Sequence, residues 1–338
     1  MSSLRKFIVM RILLFLPMLW FLITLVFVLL RVIPGANPIK VMNPQMPDEQ
    51  VRQISERLGL NRPLWEQYIF FLRDSARFDF GESIRTGISV KDEIRLAYGP
   101  TLMLGISSSL IGIPLGIFLG SRAGRHREES IDHSIRLYTI GDYATPVFLV
   151  GLLLQVVFSM WIPLLPPLGL ISPGGTQEFT HYTEIWIIDT ILSGRLDLTL
   201  DILIHLILPS ITLGMLIAAT IARQIRTNMI HQLEQDYIHF ARARGIPEHV
   251  VAYKYASKNA TIPSISLIGL QFALLLSGAV LTETVFSIPG LGRYLYLAIQ
   301  DKDYPAVQGA MVVFTLVVNL ISLISDIIYA LLDPRIKF

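Results

Sequence analysis

Six stretches of this chain stay apolar for about 20 residues each, the length that carries a helix across about 30 Å of hydrocarbon. They fall at about Phe7–Leu30, Thr101–Gly120, Leu137–Trp161, Leu200–Ala222, Ser264–Thr282 and Gly309–Leu332. In lipid an unpaired backbone group finds no water, so a spanning segment is a helix or a strand of a closed barrel. Barrel strands alternate apolar and polar side chains, and these runs do not. The expected fold class is an all-α membrane protein with six transmembrane helices. Composition agrees. Of 338 residues, 52% are hydrophobic and 16% charged, against about 25% charged in soluble domains. A net charge of +2 gives no footprint for nucleic acid, and a chain without Cys has no disulfides, thiolate metal sites or Cys nucleophiles.

The N-terminal stretch MSSLRKFIVMRILLFLPMLWFLITLVFVLLR starts basic, as a secretory signal does. Its apolar core, Ile12 to Leu30, is longer than the roughly 7–15 residues of a signal, and no small-residue cleavage site follows. It reads as a retained membrane helix. Lys and Arg set the orientation, because short cytoplasmic loops carry the excess. Arg5, Lys6 and Arg11 mark the N-terminal end. Loop 121–136 carries Arg122, Arg125, Arg127 and Arg136, and loop 223–263 carries Arg223, Arg226, Arg242, Arg244, Lys254 and Lys258. Arg335 and Lys337 lie at the C-terminus. On the other side, 162–199 holds only Arg195, and 283–308 only Arg293 and Lys302. Loop 32–100 is long, and long loops translocate regardless of charge. Both termini and 223–263 are therefore expected in the cytoplasm, on a multi-pass protein of the cell membrane.

Within the long outer loop, PDEQVRQISERLGL (47–60) has apolar residues at helical spacing, with Gly59 placed to end the helix. PLWEQYIFFLRDSARF (63–78) reads as a second, aromatic-rich helix. The Pro/Gly-rich IPLLPPLGLISPGG (162–175) reads as a rigid connection. Gly112, Gly116 and Gly120 recur every four residues in the second segment and so share one face. Such rows let helices approach closely. Packing is their expected use, with gating as the alternative.

Residues 241–263, ARARGIPEHVVAYKYASKNATIP, are basic and lie between two apolar segments. QDYIHFARAR (235–244) reads as a helix that Gly245 ends in a left-handed cap. Pro247 suits the first position of a second helix, and Glu248 suits the positive end of its dipole. That helix is expected to run to about Ala260. At about 100° per residue, Ile246, Val250 and Tyr253 share one face, and Val251 and Tyr255 lie nearly opposite. Two apolar rows point to two contacts, one with the membrane bundle and one in the cytoplasm. A helix lying on anionic lipid would give a similar pattern.

Catalytic signatures are sparse. Neither G-x-x-x-x-G-K-[ST] nor H-E-x-x-H occurs. His126 and His133 flank acidic residues and His181 lies near Glu184, but solvated surface groups without a metal are the expected reading. Ser107, Ser108 and Ser109 have no nearby His to act as a base. Ionisable groups inside spans are functional candidates by default. Asp142, before Pro146, fits pathway lining, pairing with an inner-loop Arg, or capping of a helix broken at Pro146, with the structural roles favoured. Asp326 is expected to pair with an inner-loop Arg. Gln155 and Gln271 fit pathway lining or interhelical hydrogen bonding equally. Glu283 sits at the outer end of the fifth segment.

The block DYIHFARARGIPEHVVAYKYASKNATIP resembles the cytoplasmic "EAA" loop of ABC importer permeases. The resemblance covers nearly the whole chain and is nearest to the dipeptide/oligopeptide branch. RPLWEQYIFFL with DFGESIRTG, HLILPSITLGMLIAATIARQIRTNMI, ETVFSIPGLGRYLYLAI, DYPAVQG and DIIYALLDPRIKF are similar to that branch, in order. Ala241-Arg242-Ala243 replaces Glu-Ala-Ala itself, and Tyr255 stands where the branch usually has His. The resemblance implies the type I ABC importer permease fold. Residues 1–31 would hold the N-terminal region and first helix, 32–100 a structured extracytoplasmic loop, and 101–338 the permease core with a coupling loop at 235–263. It implies that Ala241, Arg242, Ala243, Arg244, Gly245, Ile246, Pro247 and Glu248 dock on a separate cytoplasmic ATPase. It also implies that the block around Glu283 shapes an outer gate, which leaves Asp142, Gln155, Gln271 and Glu283 as pathway or gate candidates. No cofactor is expected on this chain, ATP and Mg being bound by the partner ATPase subunits. A second homologous permease, an extracytoplasmic substrate-binding protein and membrane lipid are the other implied partners. Di- or oligopeptides are the implied cargo, with oligosaccharides, nickel or glutathione as alternatives in the same architecture. A secondary transporter is a remote alternative, since mid-span charges are few.

Overall fold

The computed structural model describes residues 2–32, 37–57, 59–177, 179–264, 271 and 279–332. Among them are helices but no strand, apart from an isolated bridge between Glu82 and Ser89. Helix α1 (Ser2–Phe27) continues into a wider π turn at Val28–Val32. Three short helices follow: α2 (Pro38–Met42), α3 (Asp48–Arg57) and α4 (Leu64–Arg77). Then come α5 (Val90–Arg125), α6 (Ser130–Ala144), α7 (Val147–Gln155), α8 (Trp186–Leu192) and α9 (Leu196–Leu233). Beyond α9 lie α10 (Asp236–Ala243), α11 (Glu248–Val250), α12 (Ser257–Thr261), α13 (Leu291–Gln300) and α14 (Tyr304–Leu332).

Four described helices are long and apolar enough to cross a membrane: Ile8–Val32, Val90–Arg125, Leu196–Leu233 and Tyr304–Ile324. The expected third span, Leu137–Trp161, is not one straight helix. Its halves, Ser130–Ala144 and Val147–Trp161, meet at 104°. Pro146 is the cause. It has no N–H to continue the ladder, and it pushes the preceding Thr145 into an extended conformation (φ −99°, ψ 126°). Counting the bent pair as one span gives five. Most of the expected fifth segment, 264–282, lies outside the described residues.

The centre of the molecule is the packing of α5 on α9. The glycine row faces that contact. A β-carbon at Gly112 would lie 2.6 Å from the Gly214 carbonyl oxygen, one at Gly116 2.9 Å from Ala218 O, and one at Gly120 2.6 Å from Ala222 O. Gly124 extends the row, 3.1 Å from Arg226 O. The partner is always 102 residues on (112 to 214, 116 to 218, 120 to 222, 124 to 226), so the two helices run parallel. Without side chains between them the backbones approach closely and dispersion contacts accumulate. Leu104, Ile202, Leu208, Leu213, Ile217, Ile221 and Ile225 fill the flanks of the contact. Ser107 Oγ and Ser210 Oγ add a hydrogen bond of 2.6 Å across it, which accounts for one serine of the triplet.

A second core joins α1, α4 and α14 around Phe27, Phe71, Val307 and Val312. Arg31 pins it. Its guanidinium donates to Tyr304 Oη (3.0 Å), Gln67 Oε1 (3.2 Å) and Gln308 Oε1 (3.1 Å), and lies over the Phe27 ring at 5.7 Å. The turn after α4 is tied to the start of α14. Ser83 Oγ donates to Asp303 Oδ2 at 2.5 Å, Arg85 N donates to the same oxygen at 3.1 Å, and Arg85 pairs with Asp301. Asp326 pairs with Arg11 of α1 at 2.9 Å. Its partner is thus on the first helix, not in an inner loop.

Candidate functional site

The stretch after α9 folds into two short helical arms around a fixed corner. Gly245, at φ +73°, sits in the left-handed region. Its N–H bonds Arg242 O at 2.9 Å, and Ile246 N–H bonds Ala241 O at 3.2 Å. These two bonds close α10 as a Schellman motif and satisfy its last carbonyls. A β-carbon at Gly245 would meet nothing within 4 Å. Only the backbone conformation, then, asks for glycine here within this chain. Pro247 precedes the first helical residue, Glu248, and is extended (φ −57°, ψ 140°). It is the N-cap, one position before its expected place. A forked ion pair braces the corner: Arg242 Nη2 lies 2.8 Å from Glu248 Oε1, and Nε 3.1 Å from Oε2. Hydrogen bonding from Arg242 holds the Glu248 carboxyl below its usual range, and the same bond holds the guanidinium above its own.

The second arm runs through α11, a π turn at Val251–Ala256, α12 and a final tight turn at Ile262–Ser264. Val251, Ala252, Ala256 and Ala260 are fully buried against Met229, Ile238 and Ala241. Asn228 Nδ2 donates to Ala260 O (3.0 Å), and Ser257 meets Ser121 at 2.8 Å. The arm is thus fastened to the ends of both central helices. This corrects the expected faces. Val251 is buried while Tyr255 is exposed, and Tyr253 lies at the surface under the Arg125 guanidinium (5.3 Å). The π turn is the reason, because an extra residue per turn shifts the phase of a row counted at α-helical spacing.

Of the expected docking residues, Ala241 is buried, Ile246 half-buried, and Arg242, Ala243, Arg244, Gly245, Pro247 and Glu248 exposed. Phe240 joins them with 71% of its surface exposed. Periodicity within α10 gave no hint of this, since it treats an aromatic as core. A second missed group is the Asp132–Arg226 fork at the same end, with both bonds at 2.6 Å and Asp132 fully buried. It locks the start of α6 to α9.

At the other end, residues 279–285 are helical and carry Glu283, which is fully buried. Its Oε1 accepts from Thr101 Oγ1 at 2.6 Å, and its Oε2 accepts from the Arg293 N–H at 2.8 Å. The carboxylate thereby caps the N-terminus of α13, where free N–H groups and the helix dipole favour an anion. Gly290 makes room, since a β-carbon there would lie 2.3 Å from the carboxyl carbon. Gln155 Nε2 donates to Pro167 O (2.8 Å) and Val285 O (3.2 Å), tying α7 to the Pro-rich connection and to the Glu283 segment. Asp142 is half-buried on the last turn of α6, beside Tyr143, whose ring lies 5.5 Å from the Arg223 guanidinium. Gln271 is helical and half-buried, with neighbouring residues outside those described. The structure joins Gln155 to the Glu283 segment and leaves Asp142 at the bend.

Comparison with known proteins identifies this architecture. Residues 112–338 match the family described as "Binding-protein-dependent transport system inner membrane component". The chain is 36% identical over 328 residues to a dipeptide transport system permease protein of Alkalihalophilus pseudofirmus, covering 97% of this chain and 98% of that one. It is 38% identical over 310 residues to a probable D,D-dipeptide transport system permease protein of Escherichia coli (92% and 91% covered). A glutathione transport system permease protein of Escherichia coli is 31% identical over 333 residues (98% and 99% covered). Read with the apolar helices and the two-armed loop, these likenesses place the chain in the family of inner membrane components of binding-protein-dependent transport systems, as a permease subunit of an ABC importer.

Proposed function

We propose that this chain forms one half of a translocation pathway for di- or oligopeptides and couples it to a separate ATPase through residues 235–263. The observation that carries the coupling role is the construction of the loop. One side, Val251, Ala252, Ala256 and Ala260, is sunk into the ends of α5 and α9, and the corner from Phe240 to Glu248, apart from Ala241 and Ile246, faces outward. A rigid corner fixed to two spans transmits movement, whereas a loose linker absorbs it. In this reading both termini and the loop are cytoplasmic and the chain crosses the membrane six times, with 264–282 as a span. Residues 32–100 form the extracytoplasmic loop that meets a substrate-binding protein. ATP and Mg belong to the ATPase subunits, and a homologous permease supplies the other half of the path. The peptide cargo rests on the names of the relatives, two of which are dipeptide permeases. The glutathione relative supports a small peptide-like cargo as the second reading.

The chain contains no Cys, so a single introduced thiol reports unambiguously. Ala243→Cys, in the assembled transporter in native membranes, should cross-link to an ATPase subunit. Absence of that product from both Ala243→Cys and Arg244→Cys, at normal abundance, would overturn the coupling role.

A further inference from the structure

The segment leading into α8, at the end of the molecule away from the corner loop, holds three potential ligand atoms that nothing satisfies. Asp189, in the first turn of α8, is fully buried. Its Oδ1 accepts from Thr183 N–H and Thr183 Oγ1, both at 2.8 Å, and its Oδ2 has no partner. Glu184 is 4% exposed and sits at φ +61°, a region that a β-carbon disfavours. Its Oε1 faces Arg95 Nε at 3.2 Å. Its Oε2 faces His181 Nδ1 at 3.2 Å but makes no hydrogen bond. His181 Nδ1 is likewise unbonded, while Nε2 lies 3.4 Å from Thr176 O. The expected solvated histidine is therefore a half-buried ring beside two buried carboxylates.

The surroundings hold these groups still. A β-carbon at Gly99 would fall 1.7 Å from Glu184 O, so the strained turn presses directly on α5. Tyr98 Oη donates to Thr183 O. The His181 ring packs 4.6 Å from Phe179 and 6.2 Å from Trp186, centroid to centroid. Buried polar atoms without partners are rare because the lost hydration is not recovered. Three such atoms, His181 Nδ1, Glu184 Oε2 and Asp189 Oδ2, belong to residues that bring one ligand atom each within 4.8 Å of one another.

We propose that His181, Glu184 and Asp189 bind a divalent cation of the zinc class. One imidazole nitrogen and two carboxylate oxygens suit Zn²⁺ and its first-row neighbours, whereas Mg²⁺ and Ca²⁺ take oxygen alone. Zinc bonds of about 2.0–2.1 Å require each ligand atom to move inward by less than about 1 Å. The Thr176 carbonyl, accepting from Nε2–H, leaves the Nδ1 lone pair free to bind, as an outer partner of a metal-bound histidine does. Three protein ligands leave a position open to water. A protonated His181 paired with Glu184 explains less, because Asp189 Oδ2 stays unsatisfied. The bound ion would tie the 181–184 turn to α8, which leads directly into α9.

The test is equilibrium dialysis of the full chain in detergent. The chain carries no histidine tag and is stripped with EDTA, then dialysed against ZnCl2 and, separately, MgCl2, with bound metal measured by atomic emission. One zinc per chain is expected, with no comparable magnesium. His181→Ala and Asp189→Asn should each weaken zinc binding by at least about 100-fold, since even outer-shell changes cost about 10–100-fold. Asp189→Asn keeps the oxygen that accepts from Thr183. If that variant does not fold, His181→Ala, at the edge of the turn, decides alone. Substoichiometric zinc in the parent chain, or zinc retained unchanged by either folded variant, overturns the site.

Discussion

Thr101 Oγ1 donates to Glu283 Oε1 at 2.6 Å and accepts from the Leu291 N–H at 2.8 Å. One hydroxyl thus joins α5, the helical segment 279–285 and the N-terminus of α13. Thr101→Val keeps the shape and removes both bonds, leaving a buried carboxylate oxygen and a buried N–H short of a partner. The expected cost is about 2–3 kcal/mol of stability, because hydrogen bonds to charged groups exceed neutral ones. Thr101→Ser keeps the hydroxyl and should cost less than about 1 kcal/mol. Thermal unfolding of the purified chain in detergent compares the two, and equal losses would refute the account.

Glycines on the two sides of α5 and α6 should respond to alanine with opposite signs. Gly112→Ala places a methyl group 2.6 Å from the Gly214 carbonyl oxygen, and neither backbone can step aside without opening the α5–α9 contact. A loss of about 1–3 kcal/mol is expected. Gly141 lies within α6, and a β-carbon there meets nothing within 4 Å. Gly141→Ala should gain up to about 1 kcal/mol of helix stability. The same unfolding measurement reads both, and a stabilising Gly112→Ala would contradict the close approach.

Local chemistry made part of this structure legible before any coordinates. Apolar runs marked α1, α5, α9 and α14, and the four-residue glycine row announced a close helix contact, though not its partner. Gly245 announced the corner. Pro146 raised a broken helix only as one alternative for the role of Asp142, and the 104° bend depends on what the two halves pack against. The rows of the second arm were misjudged because a π turn at Val251–Ala256 changes the period, and sequence spacing carries no mark of it. Groups joined over long separations were invisible. Arg31 meets Gln308, Thr101 meets Glu283, and Asp132 meets Arg226 only once the helices have packed. The same holds on a shorter scale for His181 and Asp189, where burial decides the chemistry and sequence cannot report burial.

The Arg242–Glu248 fork should make the corner sensitive to acid. Its carboxyl is held below the ordinary glutamate value of about 4.3. A depressed folded-state value means the pair contributes fully above the unfolded value and is lost as pH falls through the folded one. The unfolding temperature of the parent chain should therefore exceed that of Glu248→Gln near neutral pH. The difference should shrink as pH drops below about 4.3. High salt should shrink it as well, since both side chains are about half exposed. A difference independent of pH would mean that the fork contributes nothing through its charge.

Gly245 separates conformation from contact. Gly245→Val places a branched side chain at φ +73°, at a cost on the order of 1–2 kcal/mol. The chain as a whole is held by its helix contacts, so insertion and abundance should stay normal while uptake is abolished. Gly245→Asn tolerates the left-handed conformation better than other side chains and should restore the unfolding free energy to within about 0.5 kcal/mol of the parent. Beyond its two chain neighbours, no described atom of this chain lies within 4 Å of the added β-carbon, so an uptake defect left in Gly245→Asn points to a surface that is not its own. The expected result is a stable Gly245→Asn chain that still fails to transport, with ATP hydrolysis no longer stimulated by cargo. Full transport by Gly245→Asn would confine the role of this glycine to the corner's backbone, and full transport by Gly245→Val would sink the coupling role altogether.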